Sequence, residues 1–226
     1  MPLSINRIQA ICFDIDGTLR ETDDHYVARF ERLLPFISAH NKTRVARAAI
    51  MRLESPLNGF LHIADILGLD PLIHKFFDIV SPTSTNTDTD AHLVSGARST
   101  LSLLAESFPL AVVTTRRSSS TGAFLDSSGI SGYFEAVATA LTTRRGKPKP
   151  DPIIWACQQL DVAPSQCLMV GDTVMDIRAG KAAGAQTLGV LSGFGEEKEL
   201  LENGADHIRA SVSGMEELFP SLADSA

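Results

Sequence analysis

The feature that most constrains this chain is a repeated grammar: a short, unbroken apolar run that stops abruptly at a polar residue or glycine. Residues 8–13 break off at Asp14, with Gly17 close behind; residues 110–113 end at Thr114; residues 167–170 end at Gly171 and Asp172; residues 186–191 end at Ser192 and Gly193. Such runs read as buried strands that end in turns. Helical patterns, for example over residues 97–107 and 152–160, lie between them. Strands alternating with helices predict an α/β fold with a doubly wound, Rossmann-like parallel sheet at its core. In open sheets of this kind ligands bind beyond the carboxyl ends of the strands, where these polar residues fall.

Residues 20–90 interrupt the alternation and read as helices only. Tyr26, Phe30, Leu33, Leu34 and Ile37 recur at helical spacing. Val45, Ala49 and Leu53 do so again after a candidate N-cap at Asn41, and Leu57, Phe60, Leu61, Ala64 and Leu67 form a third set. Residues 72–80 suggest a fourth helix, and the Ser/Thr/Asn/Asp/Pro-rich stretch 81–90 suits an exposed connector. The expected organisation is an α/β core built from residues 1–19 and 91–226, with an all-helical cap inserted over residues 20–90. A chain of 226 residues has room for one domain and such an insertion.

Composition narrows the partners. A net charge of −7 argues against non-specific nucleic-acid binding, which relies on a basic surface to displace counterions. No segment reaches the ~18 consecutive apolar residues of a membrane span, and the first residues lack the pattern of a secretory signal. Cys12, Cys157 and Cys167 show neither paired nor metal-type spacing and read as buried, reduced thiols, and the six histidines lack zinc spacing. A small, locally gripped partner and a reducing cytoplasm fit this composition, with no nucleic acid and no membrane.

Asp14 and Asp16, in Asp14-Ile15-Asp16-Gly17-Thr18, are two carboxylates at one strand end. An ionised one can attack phosphorus, and a protonated one can serve as acid and then base. An acidic turn after a strand is the plainer alternative. At the end of the second strand the hydroxyl of Thr114 can contact a phosphoryl oxygen, and adjacent Thr115 is an equal candidate. Lys147 lies in the proline-stiffened Gly146-Lys147-Pro148-Lys149-Pro150 loop, where an ammonium can be held as a fixed charge, with Lys149 as its rival. Asp172 and Asp176 stand four residues apart at a strand-to-helix junction; on one helical face they would suit Mg2+, and helix capping is the plainer reading.

These four segments, in this order, resemble the haloacid dehalogenase-like hydrolase superfamily, whose phosphatases carry DxDGT, a strand-end Thr or Ser, a Lys in a KPxP loop, and GDxxxD. The resemblance spans nearly the whole chain, from Ser95-Gly96-Ala97 opening a helix to the closing Gly204-Ala205-Asp206-His207-Ile208, similar to the last strand of phosphoglycolate-phosphatase-like members. It implies a Mg2+-dependent phosphatase acting on a small phosphorylated metabolite, a phosphomonoester, through an aspartyl phosphate. Asp14 is then the nucleophile, Asp16 the acid/base, and Thr114 and Lys147 stabilise the transferring phosphoryl, with Thr115 kept as a substrate-binding candidate beside Thr114. Asp14, the main-chain carbonyl of Asp16, and Asp172 hold the metal, and Asp176 supports that shell.

Family members with neighbouring activities differ at particular positions. Dehalogenases lack the second aspartate, present here as Asp16. Phosphonate hydrolases need a cap lysine, for which only Lys42 and Lys75 are available, and phosphomutases carry an acidic residue where this chain has Gly171. A phosphorylation-driven receiver would have no helical insertion. Arg20-Glu21-Thr22 departs from the Val-Asp-Ser common among phosphoglycolate phosphatases. Arg44, Arg47 and Arg52 on the cap read as a solvated helix face or as contacts to an anionic substrate.

Overall fold

The structure, a computed structural model, describes residues 3–21 and 93–220. The elements run in the order β1 (Ala10–Phe13), α1 (Ala97–Ala105), β2 (Leu110–Val113), α2 (Ser118–Ser127), β3 (Phe134–Ala138), α3 (Asp151–Gln159), β4 (Cys167–Gly171), α4 (Val174–Ala183), β5 (Gln186–Val190), α5 (Glu197–Glu202) and β6 (His207–Arg209). The six strands form one parallel sheet in the order β3-β2-β1-β4-β5-β6. The α/β, doubly wound parallel core expected from the apolar runs is therefore present.

The runs are continuously apolar because both faces of the sheet are covered. Ile11, Phe13, Leu110, Val112, Leu168 and Val170 point to one face and meet Leu101 and Leu104 of α1 and Phe124 of α2. The alternate residues Ala10, Cys12, Ala111, Val113, Cys167 and Met169 point to the other and meet Ile153, Ala156 and Cys157 of α3 and Ala179 of α4. Each large side chain sealed in this way contributes about 1.5–3 kcal/mol relative to exposure. The second face is built of smaller residues. It gathers all three cysteines, which are free and buried, with Cys12 Sγ 3.4 Å from Cys167 Sγ.

Where the elements depart from expectation the reason is local. β1 begins at Ala10 rather than at residue 8, after the Gln9 N–H has donated to Gln166 O at 2.7 Å. β3 was not anticipated from the apolar runs, because it is an edge strand on which Glu135 is exposed and only Ala136 and Ala138 are fully buried. β6 starts three residues later than Gly204.

The Val94 N–H donates to Leu19 O at 2.8 Å, and Arg20 bridges antiparallel to Leu93. The described segments on either side of residues 22–92 thus meet at one point of the core. The cap expected over 20–90, together with Lys42, Lys75, Arg44, Arg47 and Arg52, lies outside the described residues apart from Arg20 and Glu21. Among the described residues, no helix is long and apolar enough to cross a membrane.

Candidate active site

Register determines which distant residues meet. Phe13 stands beside Val112 of β2 and Val170 of β4, so Asp14, Thr114 and Asp172 all emerge at the carboxyl edge of the sheet's centre. The chain winds outward from β1 in both directions, and this reversal opens the crevice into which Asp14 projects. The Asp14 N–H donates to Val170 O at 2.9 Å, which fixes the start of the turn.

Lys147 is the hub of the site. Its buried ammonium donates to Val113 O at 3.0 Å and to Asp176 Oδ1 at 2.6 Å, and lies 2.9 Å from Asp14 Oδ1. Burial alone would discharge this lysine, but Asp14 and Asp176 more than offset that and hold it firmly protonated. Lys149, two residues on, is exposed.

Asp14, Asp172 and Asp176 are all buried, with ligand oxygens within 4.8 Å of one another. Burial, only partly countered by Lys147, pushes the Asp14 carboxyl up to about 7. Burial, reinforced by Asp176 and Asp14, likewise raises Asp172. Ionised together, three carboxylates against one ammonium would leave a surplus of two negative charges out of water, which is why burial favours protonation of Asp14 and Asp172. A hard divalent cation removes that surplus, and an all-oxygen donor set suits Mg2+. The residues present therefore fit the metal that the family implies.

Asp172 and Asp176 do not share a helical face. Asp172 precedes the helix, Thr173 is its N-cap, and α4 begins at Val174, so the two carboxylates converge through a strand-to-helix turn rather than by helical stacking. Asp176 Oδ2 accepts from the Thr173 N–H at 3.0 Å and from its hydroxyl at 2.7 Å, while Oδ1 takes Lys147. One Asp176 oxygen thus caps the helix while the other holds Lys147. Asp172 Oδ2 accepts from the Phe194 N–H at 2.7 Å, and Oδ1 from Thr18 Oγ1 at 3.5 Å.

Asp16 is oriented differently. Its side chain is 42% exposed, and its Oδ1 faces Arg20 NH1 at 3.2 Å and Arg116 NH1 at 3.6 Å. Thr114 is buried and its Oγ1 accepts the Arg116 backbone N–H at 3.2 Å, whereas Thr115 lines the cleft with Asp14, Asp16, Lys147, Thr173, Met175 and Phe194.

Two glycines make room for the Asp172 carboxylate. A Cβ on Gly17, which has φ +77°, would lie 2.3 Å from Asp172 Oδ2, and one on Gly193 would lie 1.9 Å from the same atom. Gly193, Phe194 and the support from Thr18 and Thr173 were not assigned from sequence. The break after β5 at Ser192-Gly193 was the available signal, and it repeats the strand-end grammar of the other runs.

The family model of the haloacid dehalogenase-like hydrolases matches residues 11–190, from the first strand of the core through the fifth. This chain belongs to that family. Among its relatives, pyrophosphatase PpaX of Bacillus velezensis is 29% identical over 201 residues, covering 81% of this chain and 83% of that protein. Phosphoglycolate phosphatase of Nitrosospira multiformis is 26% identical over 216 residues, covering 91% and 92%. A HAD family hydrolase from Deinococcus radiodurans, solved with bound phosphate and sodium, shares the fold with a TM-score of 0.65 at 23% identity, over 97% of this chain and 96% of that one. As a member of the family the chain is a hydrolase, and its relatives include enzymes named as phosphatases and pyrophosphatases.

Proposed function

We propose that this hydrolase cleaves a small-molecule phosphomonoester by way of a phosphorylated Asp14. The observation that carries the reading is the buried juxtaposition of Asp14, Lys147, Asp172 and Asp176 at the mouth of a sheet whose family relatives are named for phosphate release.

In the proposed first step an Asp14 carboxylate oxygen attacks phosphorus and the ester P–O bond breaks. The leaving oxygen keeps the bonding pair and takes a proton from Asp16. In the second, water attacks the phosphorus of the aspartyl phosphate, Asp16 accepts its proton, and the P–O bond to Asp14 breaks to restore the carboxylate. The sum is one ester and one water converted to one alcohol and one phosphate. Lys147 orients Asp14 and offsets charge on the phosphoryl oxygens, with Thr114 or Thr115 donating to them, since phosphoryl transfer is mainly positioning and charge neutralisation. Mg2+, held by Asp14, the main-chain carbonyl of Asp16, and Asp172, with Asp176 in support, would supply the remaining positive charge.

The cap over residues 20–90 is proposed to close over the cleft and select the leaving group. Three free thiols suit a cytoplasmic setting. The test is phosphate release from an aryl phosphate: activity with Mg2+, none in excess chelator, and a trapped phosphoenzyme that Asp14→Asn cannot form. Full activity in chelator would overturn the metal assignment, and phosphoenzyme on Asp14→Asn would overturn the nucleophile.

A further inference from the structure

We infer that Ser192 is a positioning residue of the proposed Mg2+ site: its hydroxyl locks the turn that carries the Asp16 main-chain carbonyl against the Asp172 carboxylate. The inference rests on the metal assignment above and adds a residue to it.

The turn after β1 has a weak point at Gly17. Its φ of +77°, and the 2.3 Å that would separate an added Cβ from Asp172 Oδ2, require glycine there. The same requirement sets the conformationally freest type of residue beside a carbonyl that must be held still. The Gly17 N–H shares a peptide plane with the Asp16 carbonyl, and it donates to Arg20 O at 2.9 Å, which fixes the plane on that side of the glycine. On the other side the Gly17 carbonyl accepts from Ser192 Oγ at 2.7 Å, across 175 positions of chain. With both planes held, rotation about Gly17 is suppressed.

Ser192 also opens a loop that grips both halves of the site. β5 ends at Val190, and the Leu191 N–H donates to Arg209 O at 3.0 Å, so the loop leaves the sheet from a fixed point. Two residues beyond Ser192, the Phe194 N–H donates to Asp172 Oδ2 at 2.7 Å. Between them, a Cβ on Gly193 would lie 2.7 Å from Gly17 Cα and 1.9 Å from Asp172 Oδ2. One short stretch therefore holds the turn after β1 through Ser192 and the residue after β4 through Phe194, and it sets the spacing of two groups assigned to the ion. The Phe194 contact is made by backbone and the Gly193 contact is steric. The Ser192 contact is made by a side chain, so alanine would keep the path of the loop and lose the donor.

The test is calorimetric titration of Mg2+ into the full chain without substrate, for wild type, Ser192→Ala and Ser192→Thr. Ser192→Ala should raise the Kd for Mg2+ by about 10–100-fold, the usual cost of losing a group that orients a metal ligand. Its slower turnover of an aryl phosphate should recover as Mg2+ is raised. Ser192→Thr keeps the hydroxyl and should restore most of the affinity, with native folding by circular dichroism. Asp206→Asn, which removes the carboxylate held by Thr187 of β5, controls for general destabilisation: it should lower Tm and leave the Kd unchanged. A Kd within about twofold of wild type in Ser192→Ala, a threonine variant as weak as the alanine one, or an equal rise in Asp206→Asn would overturn the latch and leave the phosphatase standing. A wild type that does not bind Mg2+ would overturn the metal assignment and the latch together. The expected Kd values without phosphate release from any ester would overturn the phosphatase and leave the latch.

Discussion

Asp14 and Asp16 are two residues apart, but the fold places them in different surroundings. Asp14 is buried against Lys147, and Asp16 is half-exposed beside two arginines. Asp14→Asn should abolish turnover. Asp16→Asn should slow an alkyl phosphate by about 10²–10⁴-fold, and an aryl phosphate with an acidic phenol much less, since that leaving group needs no proton. Equal losses on both substrates would remove Asp16 from the role of acid. Gly193→Ala tests the floor of the site. Its Cβ would lie 1.9 Å from Asp172 Oδ2 and 2.7 Å from Gly17 Cα, so the carboxylate must move. The magnesium concentration needed for half-maximal activity should rise by about 10–100-fold, as for other supporting groups of a metal site. An unchanged Mg2+ titration would show that Asp172 does not hold the ion.

At the level of elements, the junction of β5, α4 and β6 shows how polar contacts set one strand against its helix. Asp206 Oδ2 accepts from the Thr187 N–H at 2.9 Å and from its hydroxyl at 3.1 Å, and Lys181 Nζ of α4 lies 2.9 and 3.0 Å from the two carboxylate oxygens. Partial burial by itself would raise this carboxyl, but Lys181 and Thr187 together hold it below its ordinary value of 3.8. A depressed native pKa means that the unfolded chain binds the proton more readily. The contribution to stability is therefore present above the ordinary carboxyl range and is lost as pH falls through the lower native value. Asp206→Asn should accordingly lower Tm at pH 7, with the gap to wild type closing below about pH 4. A gap that persists unchanged into acid would point to lost packing or hydrogen bonding rather than lost charge.

On the scale of the whole molecule, three buried carboxyls that share one ammonium at the carboxyl edge of the sheet would link the proposed cation binding to folding stability. Mg2+ at a hundred times its dissociation constant should stabilise the fold by about 2.7 kcal/mol, and chelator should reverse the rise in Tm. The meeting of Leu19 with Val94 sets a second expectation. Replacing residues 22–92 with a short Gly/Ser linker should leave a folded α/β core, because the described segments on either side of them meet at one point of the core. That core should lose discrimination among phosphate esters, since the proposed cap is gone. Unchanged discrimination would remove the cap from substrate selection.

Much of this was readable from local pattern. An apolar run stopped by Asp14, Thr114 or Gly171-Asp172 encodes both a strand and its carboxyl end, because continuous apolarity marks burial on two faces and the breaking residue marks where the chain leaves the sheet. The sequence by itself therefore determined the α/β class and the strand ends at which the candidate residues gather. It did not distinguish Lys147 from Lys149, because burial depends on how the loop lies over β2. It did not reveal β3, whose half-exposed edge position weakens its apolar signal. Nor did it assign Gly193, Phe194 or Arg116, whose roles arise only when β5 and β2 take their places around β1. Those contacts span up to 176 positions of chain, from Gly17 to Gly193 (193 − 17), and only the order of strands decided by packing brings them together.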